Sequence, residues 1–297
     1  MHPYHWFLLF LAQLSWAGSY VAMKWAGEEM PVGVVVFLRY GGASLGFFVW
    51  SFFSGWPRWN RKDIGLLTLL GLLAFALAPT LQILSLRYTR AIDVSILIAL
   101  EPLITALAAA LVLKEKISRQ TIFALTIATA GVLMLSGISL PHVKDWMSIR
   151  LLGNLMFLVS LLFEAAVTVA GRQLGCHYRP KDAIQAMMLA GFLGSGLVYA
   201  NQIATMDFMM PSPRAWGSII YLVLGPSIFS YTVWYRVLRD VPASRVALSL
   251  FFQPLTGTFL GYFLLAERIG VETLFGGTII CGGLAWWQIR ANTNSVR

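Results

Sequence analysis

Three ionisable residues stand inside long apolar runs of this chain: Arg39, Glu101 and Glu164. On insertion scales each such group costs at least ~2.5–3.5 kcal/mol in hydrocarbon, so each calls for a partner or a task. Glu101 lies about ten residues into its run and is followed by Pro102. A proline within a helix lacks an N–H and crowds the carbonyl four residues back, here that of Ile98. A carboxyl and a loosened backbone carbonyl would then be presented together, which suits a polar substrate or proton exchange. The plainer alternative is a neutral carboxyl bonded between packed helices. Gln253-Pro254 repeats the arrangement, with Leu250 in the place of Ile98. Pro79 and Pro226 interrupt two further runs and should loosen them in the same way.

Glu164 lies about thirteen residues into its run, at a position that corresponds to Trp16. That change of type suits either local specialisation or a helix–helix hydrogen bond. Arg39 is only about a third of the way into its run. It could snorkel outward, or pair internally with Glu101 or Glu164. Gln82, Ser85, Tyr231 and Trp234 join Trp16 and Tyr20 as residues that could line an amphipathic cavity. Tyr235 and the tryptophans at 286–287 sit near run ends and fit interface anchors better.

The elements that carry these residues are long and apolar. The chain is 58% hydrophobic and 12% charged, against roughly 25% charged in a soluble domain. Runs near 20 residues recur throughout, each long enough to cross a hydrocarbon core of ~30 Å. They fall at about 5–23, 32–54, 63–85, 91–113, 120–137, 151–171, 182–204, 215–236, 243–265 and 272–289. Proline and Gly-Trp-Pro punctuation separates them. In lipid only helices or closed barrels satisfy the backbone, and these runs lack the alternation of barrel strands. The expected fold is therefore all-α, a polytopic membrane protein of ten spans. The first run has no preceding Lys or Arg and has a counterpart in the second half, so it reads as a retained helix rather than a signal peptide.

The second half repeats the first. Shifted by 152 positions, residues 63–135 align with 215–287 without a gap, with eighteen identities that include Pro102/Pro254, Glu115/Glu267 and Gly131/Gly283. The expected units are residues 1–140 and 150–290, five spans each. Five is odd, so the second copy should enter the membrane inverted. Loop charges agree: the loops and C-terminus on one side hold fourteen Lys and Arg, those on the other seven. The richer side is cytoplasmic by the positive-inside rule, which places both termini inside. The Lys114–Lys116 hairpin should then face in and the Arg268 hairpin out. Gly257-x-x-x-Gly261 and Gly131/Gly283 have the spacing of close helix contacts.

The stretch from Ser95 through Glu101-Pro102-Leu103 and Lys114-Glu115-Lys116 to Gly131-Val132 resembles the signature half of EamA-type proteins of the drug/metabolite transporter superfamily. Gln253-Pro254-Leu255 through Glu267-Arg268 to Gly283 looks like its partner. Trp16-Ala-Gly-Ser-Tyr and Phe37-Leu-Arg39-Tyr are similar to the family's first-helix and second-helix motifs. The resemblance implies ten helices in two inverted repeats, a central cavity, and export of amino acids or related metabolites. The family often has Trp where this chain has Glu164, which marks Glu164 as a specificity candidate.

The function these readings favour is a secondary transporter of a small organic metabolite across the inner membrane, by alternating access. Glu101, Gln253, Glu164, Trp16, Gln82, Tyr231 and Arg39 are its candidate substrate or coupling residues. A proton gradient could act through Glu101. A flippase for an amphipathic lipid-linked molecule is the alternative within the same fold. A membrane-embedded enzyme lacks a buried His or a nucleophile with its base. The net charge of +9 sits in short loops, which argues against a nucleic-acid partner. Two cysteines and four terminal or loop histidines give no metal motif, and no cofactor is called for.

Overall fold

The computed structural model describes residues 3–101, 103–105, 108, 119–135, 149–174, 178–240 and 248–294. Among them every regular element is helical. The first half contributes α1 (Pro3–Glu29), α2 (Val32–Ser54), α3 (Arg61–Leu72), α4 (Ala78–Ser85), α5 (Ala91–Leu97) and α6 (Arg119–Leu135). The second contributes α7 (Ile149–Leu174), α8 (Pro180–Val198), α9 (Ala200–Thr205), α10 (Pro213–Leu222), α11 (Tyr231–Asp240), α12 (Phe252–Leu265) and α13 (Val271–Asn294). Among the described residues five helical stretches are long and apolar enough to cross a membrane: Pro3–Glu29, Val32–Ser54, Arg61–Ser85, Ile149–Ala166 and Pro213–Trp234. Shorter apolar helices cover Ala91–Leu100 and Ile122–Val132. Lys114, Glu115 and Lys116 lie outside the described residues, as does Pro102.

Local chemistry sets the helix ends. Asn60 caps α3 by accepting the Lys62 N–H at 3.1 Å, and Ser212 caps α10 by accepting that of Ala215 at 3.3 Å. Pro180 and Pro213 open α8 and α10, where a missing N–H costs nothing. Gly55 stops α2 with a φ of 84°. In the connection before α8, the Tyr178 hydroxyl donates to Asp63 at 2.7 Å, and that bond pushes its pKa up.

Two stretches are wound more loosely than an α-helix. Leu73–Leu77 joins α3 to α4 and Val223–Ser230 joins α10 to α11, both with π-helical bonding. Two others are wound more tightly, as 3-10 turns: Ile98–Leu100 after α5 and Leu248–Phe251 before α12. Shifted by 152 residues, 73–77 falls within the second π stretch and 98–100 overlaps the second 3-10 turn. The repeat therefore extends from residue identity to local helix geometry. Prolines account for part of it, since Pro226 lies within its π stretch and Pro79 just beyond the other.

The two halves are interleaved rather than set side by side as separate bundles. α2 and α3 pack on α8, α4 on α7, α5 on α12 and α6 on α13, while α1 lies against α10 and α12. Every one of these contacts joins the first half to the second. Glycines allow the closest of them. A Cβ on Gly257 would strike Ser95, one on Gly261 would meet Ile92, and one on Gly131 would meet Ile280. The small-residue positions are thus where α12 rests on α5 and α13 on α6.

Candidate functional site

Three of the four irregular turns line one cavity of about 100 Å³, and the fourth, Val223–Ser230, ends just before Tyr231, which lines it too. Ala74 and Phe75 reach it from the first π stretch, Ile98 and Leu250 from the two 3-10 turns. Glu101 and Gln253 follow those turns and also line it. Trp16, Arg39, Gln82, Glu164 and Tyr231 complete the seven sequence-predicted candidates, and the structure brings all of them to this wall. Ser85 is not among the lining residues; its hydroxyl is buried and donates to the Gln82 carbonyl at 2.7 Å.

The backbone tightens before Glu101, yet the Ile98 carbonyl is not left open, because it accepts the N–H of Glu101 itself. Pro254 sits buried at the third residue of α12, directly after its 3-10 turn.

Arg39 corrects the snorkelling expectation. It is 4% exposed and points inward. Its Nε donates to Ser227 Oγ at 3.0 Å, its Nη1 lies 3.6 Å from Met23 Sδ, and its guanidinium sits 5.0 Å over the Tyr40 ring. Ser227 belongs to the second π stretch, so that irregular turn supplies the oxygen that holds the cation. Gln82 donates from Nε2 to Glu164 Oε1 at 2.8 Å, joining α4 to α7.

Gln253 belongs to a buried relay. The Tyr20 hydroxyl donates to its Oε1 at 3.1 Å, its Nε2 donates to Gln13 Oε1 at 2.6 Å, and Gln13 Nε2 donates to Ser249 Oγ at 2.9 Å. A satisfied chain of this kind fixes α1 against α12. Rings make up another part of the lining. Trp16 meets Tyr231 and Trp234 edge-on at 5.4 and 5.6 Å, Tyr231 meets Phe75 at 5.4 Å, and Phe75 meets Tyr40 at 5.2 Å.

Sequence reasoning missed Gln13, Tyr40, Phe75 and Ser227, because buried polar and aromatic residues are ordinary in such helices. It also missed Asp93, which is fully buried at the start of α5. Arg150 grips Asp93 with two bonds of 2.6 and 2.9 Å, and Arg90 adds a third at 2.9 Å. At the same end of the molecule Glu267 accepts the N–H groups of Ala91 and Ile92 at 3.0 and 2.9 Å and pairs with Lys24 at 2.8 Å. Its carboxylate thereby caps α5 from the α12–α13 connection. The turn that aims it contains Ala266 in the left-handed region, with φ 51°. A second cavity of about 270 Å³ lies between α1 and α4, lined by Met23, Lys24, Gly27, Glu28, Ile83, Leu86 and Arg87. Lys24 is one turn beyond Tyr20 on α1, a rise of about 6 Å.

Apolar helices around a buried polar cavity define a multi-pass membrane protein of the transporter kind. The chain belongs to the EamA-like transporter family, whose model matches residues 5–137 and again residues 151–287. An uncharacterized transporter of Archaeoglobus fulgidus is 27% identical over 285 residues, 93% of this chain and 94% of that protein. The uncharacterized transporter YetK of Bacillus subtilis is 22% identical over 268 residues, 90% of this chain and 81% of its own length. A solved crystal structure superposes with a TM-score of 0.66 at 16% identity, covering 96% of this chain and 98% of that one, which is a likeness of fold. Among the described residues no group of His, Cys, Asp or Glu has the arrangement of a metal site.

Proposed function

We propose that this chain exports a small organic metabolite, amino-acid-like or related, across the cytoplasmic membrane by alternating access. It does so as ten spans in two inverted five-helix repeats, residues 1–140 and 150–290, with both termini inside. The single observation that carries this reading is the cavity: residues from both halves meet at one polar site, seated on helix irregularities that recur 152 residues apart. Broken helix geometry beside a buried polar site is how a repeat-built carrier makes its backbone deformable where cargo sits. The second cavity, beside Lys24, lies one turn further along the same α1–α4 seam, and in this reading cargo leaves through it. In the state described, the Tyr20–Gln253 hydrogen bond and the Lys24–Glu267 pair tie α1 to the α12 region along that path.

Glu101 is the coupling residue in this scheme, taking a proton when cargo leaves and releasing it when cargo binds. Proteoliposomes test this. Glu101→Gln should abolish uptake driven by an imposed pH gradient while the protein still inserts and purifies normally. Uptake with an unaltered pH dependence in that variant would remove Glu101 from the coupling step.

A further inference from the structure

The second cavity, at about 270 Å³, shares no lining residue with the first. Its lining divides into an apolar part and three charged groups. Met23, Ile83 and Leu86 supply the apolar part and are buried. The charged groups are Lys24, Glu28 and Arg87.

The three charges are matched unequally. Lys24 donates to Glu267 at 2.8 Å, which is one bond from an ammonium that carries three donors. Glu28 is half-exposed, and its carboxylate pairs at 3.6 Å with Arg214 of α10, which is not part of the lining. Arg87 is exposed and makes no hydrogen bond or ion pair with a described residue. The carboxylates of Glu28 and Glu267 are thus each matched by a cation. The unmatched charge on the lining is that of Arg87.

A planar guanidinium presents its donors as a fork, which fits the paired oxygens of a carboxylate or phosphate. Lys24 is carried by α1 and Arg87 follows α4, so each helix that bounds the cavity brings one cation to it. Met23, Ile83 and Leu86 add a surface for hydrocarbon. A cavity of ~150 Å³ accommodates benzene. The space here therefore takes a ligand of roughly ten heavy atoms.

We propose that the second cavity binds a small amphiphilic anion. Its carboxylate or phosphate lies on Arg87 and Lys24, and its apolar body lies against Met23, Ile83 and Leu86. A soluble metabolite and the headgroup of an anionic lipid both carry this chemistry. The site goes beyond the transporter reading and does not rest on it.

Saturation-transfer NMR on the purified full-length protein in a nonionic detergent reads such binding without flux, so its outcome is separate from that of transport. Three probes share one branched skeleton: isovalerate, its neutral isostere isovaleramide, and the cation isoamylamine. Isovalerate should bind saturably, and at least roughly tenfold more tightly than either of the others. Arg87→Gln should weaken it by roughly tenfold or more. Arg87→Lys keeps the charge but loses the fork, and should weaken it several-fold. Arg87 is exposed, so neither change disturbs the core. Phosphatidylglycerol added to the micelles tells the two sources apart: it displaces isovalerate where a lipid headgroup is the natural occupant, and leaves it bound where a soluble anion is. Equal or tighter binding of the amide or the amine overturns the proposal. So does the absence of saturable isovalerate binding. An affinity that Arg87→Gln leaves unchanged overturns it too, and would move the anion to another cation such as Arg39.

Discussion

Arg39 buries its charge because three neighbours receive it: the Ser227 hydroxyl, the Met23 thioether and the Tyr40 ring. Depth along the sequence said only that the residue lay a third of the way into a span, from which it could reach water. Its face on α2 decides the matter, and the face depends on α10, α11 and the π turn that joins them. Glu101, Glu164 and Gln253 were legible because ionisable and amide groups are conspicuous in apolar runs. Gln13 and Ser227 were not, because a single polar residue in such a run is usually a packed one. The planar fork predicts a sharp result for Arg39→Lys. An ammonium has no plane to lay over Tyr40 and cannot serve Ser227 and Met23 from two fixed directions. The variant should lose about 1–3 kcal/mol of stability, read as a lower thermal midpoint in detergent. An unchanged midpoint would mean that the fork geometry does not matter.

At the scale of elements, the apolar runs foretold where helices lie, and the prolines foretold that some would be irregular. They did not foretell how. No residue pattern marks an i→i+5 bond, so the π stretches at Leu73–Leu77 and Val223–Ser230 emerge only in the fold. The capping of α5 was equally hidden, since its carboxylate arrives from Glu267, far along the chain. Glu115 and Glu267 are an identical pair in the repeat, and the structure gives the second of them a structural task. That task ties α1, α5 and the α12–α13 turn together beside the second cavity. Glu267→Gln removes the charge that holds Lys24 and weakens the cap on both amides. In the proposed cycle this favours the outward-open state. A cysteine placed at Ser19, within the inner cavity, should then react several-fold faster with an impermeant thiol reagent applied from outside. An unaltered rate would show that the pair does not restrain opening.

For the molecule as a whole, the repeat in sequence reappears as matched irregular turns, but the halves do not form two bundles that merely touch. α2, α3, α4, α5 and α6 each find their principal partner in the other half. Sequence could give the number of copies, because identities recur at a fixed shift. It could not give their interleaving, because helix–helix contact depends on faces, and apolar faces of such helices look alike. In the proposed cycle interleaving has a mechanical consequence: cargo would lie between paired elements, and each opening would slide helices of one half past those of the other.

Ser19 tests the account most directly. It lines the cavity, and its hydroxyl needs only the Trp16 carbonyl, to which it donates at 2.6 Å. With Cys176 and Cys281 replaced by serine, a lone cysteine at position 19 can be challenged with an impermeant thiol reagent in right-side-out and in inverted vesicles. A site exposed alternately to the two sides predicts labelling from both faces. Labelling from one face alone, or from neither, under every gradient and ligand condition would contradict it.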